Sequence, residues 1–540
     1  MKDRLTRLEW TIAALLSVVA IALRAKLALS AGGLWRDEAN TIGLATSPTI
    51  RELWAHLEFD SFPLLWMLIV RTVAHLGGPM NDSVFRLLGF AVGVALVIAL
   101  WFYARTLDYR IPLVSIALLG LTPSVIMWSS TVRAYGFGMA LAIVCAAFLW
   151  RVVQSGRLRD FVFACVAAVL SVQALYYNSV LLLAICAGAV VVSMRRRDVR
   201  RSFLVVGVGV VAAISMIPYA AVIERASEWT SVVQIPRYDF FKFWSKLYET
   251  LQPGGRWALM VWTTIFVVAF VAAAREVRDQ KKSRVTESQR DVAAFCATTM
   301  LVAALGVFVF LRVLSYETQA WYYLSLLAIS AICIDGISGS LIRSDRARLA
   351  RIAIILAFTA LTIRPAFRTS AQRMTNVDIV ADTLFKVASP GDFVVVDPWF
   401  VGVSFSRYYR ARAPWETVPT IGFFRYHRLD LLKNQMSSAD QEAPVRETKE
   451  EIERTLRNGH RVFVVGNALA KSPGREPPML APAPRPGNQW PEWMYQAEWS
   501  GMVGSFLLKH GDTTRALHTN SWHISPYEHV YITMVSGWHD

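Results

Sequence analysis

The sequence predicts an all-α polytopic membrane bundle of about eleven transmembrane helices, followed by a smaller soluble α/β domain. Three observations carry that expectation. The 540 residues are 54% hydrophobic with positive mean hydropathy, outside the range of an ordinary soluble chain. Apolar runs of about 20 residues, enough to cross roughly 30 Å of hydrocarbon, recur from Leu8 to Arg364. After Arg364-Pro365 the composition becomes that of a soluble domain, which divides the chain into residues 1–366 and 367–540.

The net charge of +16 would suggest a nucleic-acid partner in a soluble chain. Here the arginines fall in short loops between apolar runs, as cytoplasmic loops require, and no nucleic acid is expected. All five cysteines (Cys145, Cys165, Cys186, Cys296, Cys333) lie in apolar runs and match no metal-ligand spacing.

Lys2, Arg4 and Arg7 precede the first apolar run in the manner of a signal peptide. The run, about Leu8–Leu29, is read as a retained first span, because cleavage would remove it from the acidic stretch that follows. The loop Ser30–Ser83 is structured. Thr49-Ile50-Arg51-Glu52 is a capping box, and Ile50, Leu53, Trp54 and Leu57 follow at helical spacing, predicting a short interfacial helix. Asp60-Ser61-Phe62-Pro63 leads into a second apolar run, Leu64–Leu76, which is too short to cross and carries Arg71. Both helices therefore lie in the interface within the first outside loop.

Charge parity sets the remaining spans at about Val84–Tyr103, Ile111–Trp128, Tyr135–Trp150, Phe161–Tyr176, Ser179–Met194, Ser202–Ile223, Trp257–Ala274, Val292–Leu314, Trp321–Ile342 and Ile352–Ile363. This assignment gathers 23 Lys and Arg on the inside against Arg133 alone in the three short outside loops. The N-terminus is then cytoplasmic and the tail periplasmic, across a bacterial cytoplasmic membrane. In the tail, Asp378–Ala388 and Glu447–Arg457 read as helices, Asp392–Asp397 and Arg461–Gly466 as buried strands, and Ser472–Pro491 as a loop.

Candidate chemistry concentrates in Trp35-Arg36-Asp37-Glu38-Ala39-Asn40. Adjacent residues at a helix start point about 100° apart, so one of Asp37 and Glu38 is expected to enter a cavity. The alternative is a pair of interfacial carboxylates stabilised by the helix dipole. Arg133, in a short outside loop, is the first candidate to meet a phosphate; snorkelling to the interface is the alternative. Lys242, Lys246 and Arg256 follow, among aromatic residues that suit an interfacial segment. Tyr177 and Asn178 either line the site or cap a span.

The order Leu34-Trp35-Arg36-Asp37-Glu38, amphipathic helix, Asp60-Ser61-Phe62-Pro63-Leu64, second amphipathic helix resembles the first outside loop of the GT-C glycosyltransferases. It is similar to their protein O-mannosyltransferase branch and to the lipid A aminoarabinose transferase. Phe85-Arg86-Leu87 and Ser129-Ser130-Thr131-Val132-Arg133-Ala134-Tyr135-Gly136 add to the likeness. The resemblance implies an inverting transfer from a polyprenyl-phosphate-linked sugar to an acceptor glycan, lipid or protein at the outer face of the bilayer. Asp37 would be the catalytic base and Glu38 a supporting residue. Trp35, Arg36, Asp60, Tyr135, Gln319 and Tyr322 would line the substrates. The chain departs from the family where Phe62-Pro63 replaces a His-Pro-Pro or Lys-Pro, and where Arg133 and Tyr135 replace a second acidic residue. That leaves open whether a divalent cation, Mg²⁺ or Mn²⁺, takes part. Two rival readings are a multi-span transporter or lipid flippase and a non-catalytic partner in glycan assembly or export. The carboxylates at one membrane edge and nearly charge-free spans favour transfer over transport.

Overall fold

A computed structural model describes all residues except 1, 108, 110, 234, 236–237, 279–284, 472–476, 478, 485–489 and 520–522. The basic residues at 110, 237, 281, 282 and 284, and most of the predicted loop Ser472–Pro491, lie outside the described residues.

The membrane part is helical throughout: α1 Lys2–Ser30, α2 Arg36–Ala45, α3 Ile50–Ala55, α4 Leu64–Gly77, α5 Asp82–Thr106, α6 Leu113–Leu121, α7 Pro123–Ser129, α8 Tyr135–Ser155, α9 Leu158–Ala174, α10 Asn178–Arg195, α11 Val199–Met216, α12 Ala220–Thr230, α13 Phe240–Leu251, α14 Ala258–Arg278, α15 Glu287–Leu314, α16 Leu324–Leu341 and α17 Asp345–Ser370. Among the described residues nine helices are long and apolar enough to cross a membrane, in keeping with a multi-pass membrane protein. The other two predicted spans are shorter. One is the pair α6–α7, broken at Thr122-Pro123, and the other is α9 with 17 residues. The last helix runs through Pro365 to Ser370, past the predicted end of the final span.

The break between α6 and α7 shows how a polar group enters the bundle. Pro123 has no N–H to offer the Leu119 carbonyl. Arg24 of α1, wholly buried, donates to that carbonyl at 3.4 Å, to Gly120 O at 3.5 Å and to Ala20 O at 3.1 Å. Backbone groups freed in hydrocarbon need such partners.

Ion pairs sort the loops by end. Glu9, at the start of the first predicted span, meets Arg348 and Arg351, while Asp291 meets Arg195 and Arg196, and Asp160 meets Arg151, these partners lying in segments predicted inside. The segments predicted outside gather at the opposite end with the tail. There Thr49 Oγ1 accepts the Glu52 N–H at 3.1 Å at the start of α3, the first half of the predicted capping box. The second helix predicted to lie in the interface, α4, spans 14 residues, short of a crossing.

The tail comprises α18 Val377–Val387, β1 Phe393–Asp397, α19 Val401–Tyr408, β2 Trp415–Thr417, α20 Leu429–Met436, α21 Ala443–Arg457, β3 Arg461–Gly466, α22 Ala468–Lys471, α23 Glu492–His510, β4 Thr513–Leu517 and β5 Ile532–Ser536. The sheet order is β2-β1-β3-β5-β4, with β1 parallel to β2 and β3, and β5 antiparallel to β3 and β4. Both faces are covered. Val395, Val462 and Val464 pack with residues of α20, α21 and α23; Val394, Val396, Phe463 and Val465 pack with residues of α18 and α19. Two covered faces explain why β1 and β3 read as unbroken apolar runs. The edge strand β2 and the hairpin β4–β5 carry weaker patterns that sequence reading passed over.

Candidate active site

The site is built on the first turn of α2, where three carboxylates compete for two free amides. Glu38 is wholly buried and folds back to accept the Trp35 N–H at 3.2 Å. It also accepts the Val132 N–H at 2.9 Å and pairs with Arg86 Nη1 at 2.8 Å. Glu528, from the tail, accepts the Arg36 N–H on both oxygens at 3.2 Å and the Ser404 hydroxyl at 2.8 Å. With those amides occupied, the Asp37 carboxylate is left over. It is 21% exposed, its ion-pair partner is Arg36 at 3.6 Å, and no other charged partner pairs with it among the described residues.

Beneath Asp37 lies a buried pair from two loops. Asp60 accepts hydrogen bonds from the Thr41 hydroxyl at 2.7 Å and the Ser61 N–H at 2.7 Å, and pairs with Arg133 Nη1 at 3.0 Å. Arg133 also donates to the Asp37 carbonyl at 3.0 Å and to Thr41 Oγ1 at 2.6 Å, and its guanidinium stacks on the Phe62 ring at 4.3 Å. The loop carrying Arg133 turns tightly because Gly136 lets the Ser129 carbonyl sit where a Cβ would be, 2.1 Å away. Burial pushes the Asp60 carboxyl up, and the Arg133 charge only partly offsets this. Burial pulls the other way on Arg133, yet Asp60 beside it outweighs burial and holds the guanidinium firmly protonated. Arg133 Nε is buried without a hydrogen-bond partner among the described residues.

An aromatic wall closes one side. Trp35 is wholly buried with its ring centroid 5.4 Å from Trp128 and 5.7 Å from Trp321, and Trp128 lies 5.0 Å from Tyr527 of the tail. Tyr135 stacks edge-on against Phe62 at 5.3 Å. The Tyr322 ring lies 6.4 Å from Tyr177 and 5.7 Å from Tyr316, with its hydroxyl toward Ser61. Arg133 reaches the Asp37 carbonyl, the Asp60 carboxylate and, at 5.8 Å, the Tyr135 ring, so these sequence-predicted residues lie together.

The other predicted residues sit differently. Asn178 is buried and ties helices together, donating to Gly138 O at 3.0 Å and Ser171 Oγ at 3.1 Å. Lys242 pairs with Glu317 at 3.0 Å, and Lys246 with Glu317 at 2.7 Å and Glu249 at 2.8 Å. Lys246 lies close enough to affect Tyr527, so it borders the site already neutralised. Arg256 is exposed, and Gln319 sits half-buried at the start of the turn before α16.

The tail supplies what sequence reading missed. Arg36 donates to Tyr527 O at 2.8 Å, and its guanidinium lies 4.2 Å over the Phe400 ring. The His427 N–H donates to Asn40 Oδ1 at 2.7 Å, and Tyr408 OH accepts the Leu34 N–H at 2.5 Å while donating to Asp82 at 2.6 Å. Gly43 admits the Arg425 carbonyl to within 1.9 Å of its absent Cβ. Burial lowers the His427 ring to about 4, so it is neutral near pH 7, and burial raises Glu528 to about 7 against the opposing charge of Arg36. No sequence motif marks these residues; contacts across several hundred positions leave no local periodicity.

Could these groups hold a divalent cation? Glu38 is spent on Arg86, Asp60 on Arg133, Glu528 on the α2 amide, and His427 Nε2 on the Phe400 carbonyl at 3.2 Å. Among the described residues no three His, Cys, Asp or Glu converge. As arranged, the donor set does not fit a metal.

Residues 61–221 match the family model described as dolichyl-phosphate-mannose-protein mannosyltransferase. No curated protein matches the chain. Among solved structures, the oligosaccharyltransferase of Archaeoglobus fulgidus in its apo form is similar with a TM-score of 0.52 and 10% identity, covering 96% of this chain and 75% of that one. The same archaeal enzyme, AglB, in complex with an inhibitory peptide and a dolichol-phosphate gives 0.51 and 11% identity, over 97% and 74%. ArnT from Cupriavidus metallidurans in the apo state gives 0.49 and 14% identity, over 84% and 92%. At these identities the likeness to the archaeal enzyme is one of fold.

Proposed function

We propose that this chain, which has the fold of the GT-C glycosyltransferases, transfers a sugar from a polyprenyl-phosphate donor to an acceptor at the membrane end where the tail docks. That end is assigned as extracytoplasmic, with eleven passes including α6–α7 and α9, a cytoplasmic N-terminus, and a catalytic unit of residues 1–366 completed by the domain of residues 367–540.

One observation carries the reading: of the carboxylates at the start of α2, Asp37 alone is left without an amide or a bidentate cation. A base must be free to receive a proton within hydrogen-bond reach of the nucleophile. Asp37 takes the proton of the acceptor hydroxyl or amine as that atom bonds to the anomeric carbon. The bond from this carbon to the phosphate oxygen breaks on the opposite face, so a single displacement inverts the centre. The departing phosphate carries the developing charge, and Arg133, whose guanidinium binds the Asp37 carbonyl, is the cation proposed to meet it. Arg133 also fixes the Asp37 main chain, so one residue orients the base and receives the leaving group. Trp35, Trp128 and Trp321 shield the site from water. The likeness of the first outside loop to polyprenyl-phosphate-dependent enzymes supports the donor class.

The test is transfer by purified protein in liposomes from a panel of radiolabelled polyprenyl-phosphate sugars, with the acceptor identified by mass spectrometry of glycans and glycolipids from a deletion strain. Labelled product that requires Asp37 supports the reading. Transport of the donor across the bilayer without product would favour the flippase alternative.

A further inference from the structure

A cleft of about 470 Å³ opens on the face of α2 turned away from Asp37. At 100° per residue its lining positions Ala39, Ile42 and Thr46 lie roughly opposite Asp37. Arg407, Arg410 and Arg425 converge there from the tail, against Pro79 and Met80 of the link between α4 and α5.

Three guanidiniums share one carboxylate. Arg407 pairs with Asp82 at 2.6 Å and donates to Pro79 O at 2.9 Å. Arg410 donates only to the main-chain carbonyls of Tyr409, at 2.8 Å, and Arg407, at 2.7 Å. Arg425 donates to the carbonyls of Gly43, at 3.0 Å, and Thr46. Two of the three positive charges therefore meet no acid among the described residues. The volume exceeds what a bare phosphate needs, and Ile42, Val403 and Phe424 give it an apolar lining. Its floor is the point where an interfacial helix turns into a crossing helix, and Met80 there is 54% exposed and Leu76 84% exposed.

We infer that this cleft is a binding site for the anionic phosphate headgroup of a membrane lipid, with Arg410 and Arg425 on the phosphate and the acyl chains leaving past Met80 and Leu76. Planar guanidiniums suit phosphate oxygens, and cations at the bilayer surface attract anionic headgroups. The site lies apart from Asp37 and is independent of the transfer reading.

Native mass spectrometry of the full chain, titrated with phosphatidylglycerol, phosphatidylcholine or inorganic phosphate, tests it. Phosphatidylglycerol should bind about tenfold more tightly than phosphatidylcholine, and Arg410→Gln should remove about that factor, the size of one charge-assisted bond. Arg410→Lys should restore part of it, and both variants should unfold at the wild-type temperature. Equal binding of the two lipids, undiminished phosphatidylglycerol binding by Arg410→Gln, or inorganic phosphate binding as tightly as the lipid would each overturn the assignment.

Discussion

Asp37 and Glu38 are chemically alike and adjacent, and the structure gives them opposite predicted phenotypes. Consider Asp37→Asn and Glu38→Gln, each removing one negative charge at nearly constant shape. Glu38 is wholly buried and accepts from two amides as well as from Arg86, itself buried. Neutralising it leaves a buried guanidinium uncompensated, a change that costs about 3–5 kcal/mol. Asp37 makes one loose contact, 3.6 Å to a partly exposed arginine, and such pairs contribute about 0–1 kcal/mol.

Thermal unfolding of the detergent-solubilised variants, followed by tryptophan fluorescence, should therefore show Glu38→Gln melting well below wild type and Asp37→Asn melting with it. In the liposome transfer assay the order differs: Asp37→Asn should lose about 10²–10⁴ in turnover, the usual contribution of a positioned base. If Asp37→Asn destabilises as much as Glu38→Gln, or transfers sugar at the wild-type rate while folded, the assignment of roles along α2 is wrong.

Three more outcomes follow. Arg133→Met should destabilise by about 3 kcal/mol by stranding buried Asp60, whereas Arg133→Met with Asp60→Asn should recover most of that loss while remaining inactive, read from melting curves and transfer together. Glu528 rises from its ordinary 4.5 to about 7 on folding, so the native state keeps a proton that the unfolded chain releases. The folded chain should be most stable below about pH 4.5 and lose roughly 3 kcal/mol as pH rises through 7, and Glu528→Gln should flatten that slope in melting temperature against pH. Tyr408→Phe leaves the Leu34 amide and Asp82 each short of a partner, and should loosen the tail by about 1–3 kcal/mol, seen as faster proteolysis of the tail in native membranes.

How much of this was legible beforehand follows from the range of each signal. The long apolar helices, the two short helices of the first loop and the strands Phe393–Asp397 and Arg461–Gly466 are set by patterns within a few residues and appear close to where hydropathy and periodicity put them. The predicted span Ile111–Trp128, by contrast, is broken at Thr122-Pro123, and the last helix runs past its predicted end. Asp37, Asp60, Arg133 and Tyr135, spread over separate loops in the sequence, are brought together by Arg133, which reaches the Asp37 carbonyl, Asp60 and the Tyr135 ring. The pairing of Arg133 with Asp60 was not legible, since a lone arginine in a short loop gives no sign of a carboxylate 73 positions earlier. The different roles of Asp37 and Glu38 were implied by the family resemblance, but the contacts that separate them were not legible, because they come from Val132, Arg86 and Glu528 in three other segments.

That dependence bears on why the tail is joined to the bundle at all. The first turn of α2 exposes amides that water would otherwise bind. One is capped locally by Glu38; the next is capped by Glu528, a residue nearly five hundred positions away, whose carboxylate also holds Ser404. Were Glu528 absent, the nearest carboxylate to take its place at the Arg36 amide would be Asp37, since acidic side chains in the first turn are drawn to the free amides and the helix dipole. A carboxylate so engaged makes a poor base, because hydrogen bonds to its charged form lower its affinity for a proton. With Asp37 as the proposed base, Glu528 would keep it available by occupying the amide Asp37 could otherwise take, and Glu528→Ala should impair transfer through turnover while leaving donor affinity intact.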